Sequence, residues 1–197
     1  MYVKQRGDTI IEVMLAFVVF AVLAVGAISV MNRGVASAQD SLEVTLVRSE
    51  IDAQAETLRF LHQSYIDNPT AGAGSISAKF GNVLTYARQT DASNFGDNGS
   101  VDNCTESIPG VRPFILDPVT GNANTNVYPM SQGGPGFAQI VTIPSVQGYG
   151  LWIEAVEPSS ASTLRFVDFH IRACWYSVSS DVPKTLGTIV RLYVPAR

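Results

Sequence analysis

Hydrophobic positions along the chain fall into distinct regimes. From Ile10 to Met31 they are continuous, broken only by Glu12 and Ser29. From Ala36 to Tyr65 they become periodic: Val44, Val47, Ile51, Ala55, Leu58, Leu61 and Tyr65 recur at steps of three and four. That spacing predicts an amphipathic helix, with Glu43, Glu50, Glu56 and Arg59 off the stripe and in water. Asp67-Asn68-Pro69 should end it, because the residue before a proline disfavours helical geometry. The two stretches together predict one helix from about Thr9 to Tyr65, roughly 85 Å long at about 1.5 Å per residue.

Residues 67–136 lose the pattern. They are rich in Gly, Asn, Ser, Thr, Asp and Pro ("NPTAGAGS", "TDASNFGDNGS", "DPVTGNANTN") and read as a long loop, with short ordered pieces around Phe80–Arg88 and Val111–Leu116. After residue 136 the pattern alternates. "FAQIVTI" (137–143), "YGLWIEAVE" (149–157), "TLRFVDFHIRACWYSV" (163–178) and "TLGTIVRLYV" (185–194) read as four strands. In the third, Val167, Phe169, Ile171, Ala173 and Trp175 share one face, and Asp168, His170, Arg172 and Cys174 share the other. The expected fold class is α+β: a long N-terminal helix packed on a C-terminal antiparallel four-stranded sheet.

The run from Ile10 to Met31 would form a helix of roughly 33 Å, against a bilayer core of about 30 Å. It has no polar face, unlike a soluble core helix. It exceeds the 7–15 apolar residues of a cleaved secretory signal. A retained membrane helix is the expectation. Lys4 and Arg6 precede it and Arg33 follows it, which favours an inside N-terminus and an outside C-terminus. Within such a helix, Glu12 costs on the order of 2–3 kcal/mol unless it finds a partner.

The stretch Arg6-Gly7-Asp8-Thr9-Ile10-Ile11-Glu12-Val13 resembles the prepilin signal of type IV pilins and type II secretion pseudopilins. The resemblance implies cleavage after Gly7 by a prepilin peptidase and N-methylation of the new first residue, Asp8. It implies that Glu12 pairs with the N-terminal amine of a neighbouring subunit. Asp8 departs from the family, where phenylalanine is common at that place. The implied organisation is a leader (1–7), a membrane and assembly helix (8–31), an amphipathic helix (32–66), the loop region (67–136) and a sheet head (137–197).

The chain carries 13 basic and 17 acidic residues, a net −4; without Lys4 and Arg6 the balance is 11 against 17, or −6. Neither figure suggests a nucleic-acid binder, whose footprint would be basic. The two cysteines, Cys104 and Cys174, would meet an oxidising exterior, so a bridge between them is expected, with two free thiols as the alternative. Such a bridge would close a loop of about 70 residues, worth roughly 4 kcal/mol by loop entropy, and draw residues 67–136 over the outer side of the sheet.

Other motifs carry less. "RGD" (6–8) would be split by cleavage. "NGS" (98–100) and "NCT" (103–105) fit a glycosylation sequon but also surface turns. "GGPG" (133–136) lacks the Lys-Ser/Thr of a phosphate loop. Asp168 and His170 read as part of a polar cross-strand ladder rather than an acid–base pair. With His62 on the helix, the two histidines make no metal site.

The function expected is therefore structural, with no enzyme activity and no cofactor. The chain reads as a subunit of a type IV pilus-like filament, a minor pilin in adhesion, motility or DNA uptake. Its partners would be other pilin subunits, the prepilin peptidase, an inner-membrane assembly platform and membrane lipid before assembly. The head would be free to meet a surface or DNA ligand. Its location would be the inner membrane as a single-pass precursor, then the cell surface. Two alternatives stay open: a pseudopilin of a secretion or competence system, and a membrane-anchored adhesin that never polymerises.

Overall fold

The computed structural model describes residues 8–90, 111–125, 127, 139–142, 146–158, 165–177 and 182–194. The chain divides into two compact units, Met1–Ser41 and Leu42–Arg197. Helix α1, Asp8–Asp67, runs through both. In the first unit it is exposed almost throughout.

In the second unit α1 packs on a sheet through the predicted stripe. Val47, Ile51, Ala55, Leu58, Leu61 and Tyr65 are buried. Val44 is not: the stripe begins one turn later than its spacing suggested, and Val44 is exposed. Glu43, expected in water, is half-buried and accepts a hydrogen bond from the Trp175 indole N–H at 3.2 Å.

The main sheet contains β1 (Arg88–Thr90), β6 (Leu151–Pro158), β7 (Arg165–Tyr176) and β8 (Pro183–Val194), in the order β1-β6-β7-β8. Strands β6, β7 and β8 are antiparallel neighbours. Strand β1 pairs in parallel with Val156–Pro158 of β6. This corrects the expected all-antiparallel sheet of four C-terminal strands. Residues 137–143 do not supply the fourth strand; β4 (Gln139–Thr142) forms a separate hairpin with β5 (Val146–Tyr149). Gly150, at φ 68, separates β5 from β6, so the strand expected over 149–157 begins at Leu151 and Tyr149 belongs to the hairpin. Few residues besides glycine adopt that backbone conformation readily.

The inner face of the sheet meets α1. Leu151, Ile153, Ala155, Val167, Phe169, Ile171 and Trp175 are all buried, in alternation. Helix α2 (Ile76–Leu84) packs against both α1 and the sheet through Phe80. Ser75 caps it by accepting from the Ala78 N–H at 3.1 Å. Its Phe80 is fully buried, with ring centroids 5.4 Å from Tyr65 and 6.3 Å from Phe169.

A short hairpin, β2 (Ile115–Leu116) with β3 (Ala123–Asn124), completes the core. Its turn is built on Asp117, which accepts from the Val119 N–H at 2.9 Å and the Thr120 hydroxyl at 2.5 Å. Burial works to raise the Asp117 pKa, but these hydrogen bonds and the Lys79 charge outweigh it and hold the carboxyl below its ordinary value. Gly121 has φ +69, and a Cβ there would lie 3.0 Å from Leu61 Cδ2. Only glycine lets the turn come this close to α1.

Candidate functional site

The first candidate surface is the N-terminal stretch of α1. Ile10, Ile11, Val13, Met14, Leu15, Phe17 and the apolar residues that follow to Met31 are exposed around the whole helix. A helix beginning at Ile10 is long and apolar enough to cross a membrane. A monomer in water rarely exposes more than a few hundred Å² of contiguous apolar surface, which makes this stretch a candidate membrane span.

Glu12 is exposed within it, between Ile11 at 71% and Val13 at 55%. The first cationic side chain after it on α1 is Arg33. At about 1.5 Å per residue that is roughly 32 Å along the axis, far beyond ion-pair range. Asp8 is the first described residue of α1. Gly7 lies outside the described residues, as do Cys104, both sequons and the GGPG stretch.

Cys174 is disulfide-bonded and fully buried. Its strand places it on the outer face with Asp168, His170 and Arg172, as alternation requires. That face is not uniformly solvated: Trp152, Glu154 and Val156 of β6 are buried there too, and so is His170.

The polar residues on it form ion pairs across the strands. Arg191 of β8, directly opposite Asp168, grips its two carboxylate oxygens through Nε and Nη2, each at 2.7 Å. The same guanidinium lies 4.1 Å from the Phe166 ring centroid. Arg172 approaches the buried Glu154 at 3.6 Å. His170 sits opposite Glu154 in the β6–β7 register. Burial above all, with the Arg172 charge, pushes the His170 pKa down to about 4 against the pull of Asp168. Asp168 is thus paired across the strands with Arg191, and His170, two residues along the same face, is buried. Among the described residues no group of His, Cys, Asp or Glu is arranged to hold a metal.

Two contacts escaped the pattern reading. Gln54 lies on the apolar stripe yet is fully buried, donating from Nε2 to the Leu116 carbonyl at 2.8 Å and accepting at Oε1 from the Leu116 N–H at 2.9 Å. The signal was available: Gln54 stands three residues after Ile51 and four before Leu58, where an apolar residue belongs. His62, half-exposed on α1, meets the Tyr193 carbonyl at 2.8 Å through Nε2. No periodicity points to that contact.

No family model matches the chain, and no curated protein or solved structure shows significant similarity to it.

Proposed function

We propose that the chain is a structural subunit of a type IV pilus-like filament, made as a membrane-anchored precursor, cleaved after Gly7 and assembled through the N-terminal half of α1. The observation that carries this reading is Glu12, the single carboxylate in the stretch Ile10–Met31 of α1, which is otherwise apolar on every side. Lipid makes that carboxylate costly, and a positive group from a second chain removes the cost. The amine of a neighbouring subunit's new N-terminus at Asp8 is such a group. The register of Gly7, Glu12 and the span supports the prepilin resemblance, and so does the architecture, with α1 lying across antiparallel strands of the head. On this reading the head is pilin-like and the subunit a minor one, serving adhesion, motility or DNA uptake. It would deal with other pilin subunits, the prepilin peptidase and an inner-membrane assembly platform.

The test begins with mass spectrometry of the mature N-terminus from cells that hold a prepilin peptidase. The expected chain begins at Asp8, with or without a methyl group. In the same cells Glu12→Ala should lower incorporation into sheared filaments by about tenfold or more, in line with the cost of an unpaired carboxylate, while leaving membrane insertion intact. A chain that keeps Met1–Gly7, or a Glu12→Ala variant that assembles normally, would overturn the proposal.

A further inference from the structure

Where α2 ends, the chain turns beside the β2–β3 hairpin, and the two elements flank a cavity of about 310 Å³. Lys79, Asn82, Thr85, Tyr86, Asn122 and Ala123 line it. All but Ala123 carry a hydrogen-bonding side chain, and none is acidic. The size falls at the lower end of the range of about 300–1,000 Å³ for small-molecule sites, so the occupant is small.

Both flanks are held in place. Ser75 caps the start of α2, and the Thr85 N–H closes its end by donating to the Asn82 carbonyl at 3.0 Å. Gln54 ties the hairpin to α1 through Leu116, and the Asp117 N–H donates to the Asn122 carbonyl at 2.9 Å. The Tyr86 ring stacks on the buried Phe114, with centroids 5.2 Å apart and planes 27° apart. Groups presented by fixed elements lose little freedom when a ligand arrives.

The lining both donates and accepts. Lys79 gives a hydrogen to the Thr120 carbonyl, and its charge is answered by the Asp117 carboxylate nearby. The Thr85 hydroxyl donates to the Asn82 carbonyl at 2.6 Å and keeps its lone pairs. Among the described residues, the side-chain amides of Asn82 and Asn122 and the Tyr86 hydroxyl make no hydrogen bond to the protein. Each amide offers two donors and an acceptor.

We propose that this cavity binds a single neutral sugar ring. Sugar hydroxyls donate and accept, as the two asparagine amides do, and the C–H face of the ring packs on Tyr86. An anion such as phosphate only accepts, so the amide oxygens would face it unpaired, and Asp117 already balances the one cationic side chain in the lining. An apolar ligand would strip water from both amides and return nothing. The site consists of head residues alone and is independent of how the N-terminal half of α1 is used.

The test uses the full chain in a detergent without sugar headgroups, with glucose, galactose, mannose and N-acetylglucosamine as probes. Saturation-transfer NMR should carry magnetisation from the protein to the ring C–H protons of at least one of them. Asn82→Ala combined with Asn122→Ala should cut that signal about tenfold or more, the loss expected when two ordinary hydrogen bonds are removed. Thermal unfolding should be unchanged, because both side chains are exposed and bond to nothing in the protein. Asn122→Asp keeps the size, removes the amide donors and should weaken transfer as well, which gives a second measurement should the double variant fold poorly. Transfer to none of these sugars, transfer undiminished in the variants, or loss of transfer when inorganic phosphate is added at the sugar's own concentration would each overturn the proposal.

Discussion

Gln54 shows how much one side chain can decide. A buried primary amide is tolerated only where its donor and acceptor are used. Here both are used on one residue, Leu116, so the glutamine acts as a short piece of strand edge on the side of a helix. It anchors the β2–β3 hairpin to α1. Gln54→Leu keeps the bulk and removes both hydrogen bonds, leaving a buried N–H and C=O unpaired. The expected loss is about 2–4 kcal/mol, near the cost of two unsatisfied backbone groups. Urea unfolding measures it, and a change below about 0.5 kcal/mol would mean water replaces the amide. The sequence marks Gln54 as out of place but cannot name Leu116, which lies 62 positions away.

At the scale of elements, α1 is legible because a helix repeats its face every few residues. The buried positions from Val47 to Tyr65 follow from spacing alone. Its other side also carries apolar residues, among them Leu42, Leu46 and Phe60, each more than half exposed. Leu58→Ala should therefore cost about 2–5 kcal/mol, while Leu46→Ala should stay within about 0.5 kcal/mol in the monomer. Comparable losses in thermal unfolding of the two variants would show that the head packs on a different face of α1. Strands were legible as alternating runs, but their partners were not. Alternation says that a segment has two faces; it does not say which neighbour it hydrogen-bonds to. Residues 139–142 therefore looked like a sheet strand and turned out to be half of a separate hairpin.

For the head as a whole, the outer face of the sheet makes stability depend on pH. His170 ordinarily titrates near 6.5 and in the folded protein near 4. Between those values the unfolded chain binds a proton that the folded chain refuses. The neutral histidine's contribution is thus complete above about pH 6.5 and is lost as pH falls toward about 4. His170→Gln should flatten that part of the curve, seen as urea midpoints that change less between about pH 6.5 and about pH 4.5 than those of the unaltered chain. An unchanged slope would assign the acid sensitivity to other groups. The same variant should not alter pH dependence above about pH 7, where His170 is neutral in both states.

What the sequence determined by itself was local and periodic: a helix from about Thr9 to Tyr65, an apolar stretch of bilayer length with one carboxylate, the stripe that packs, and the alternation of the long strands. Each follows from the spacing of side chains along one segment, which a chain carries without reference to its partners. The tertiary structure alone decided what depends on distant segments meeting. It put β1 in parallel on β6, joined Gln54 to Leu116 and Trp175 to Glu43, buried His170 beside Glu154, and brought His62 to the Tyr193 carbonyl of β8. Strand pairing and the burial of polar groups are contacts between residues far apart in the chain, and periodicity within a segment holds no record of them.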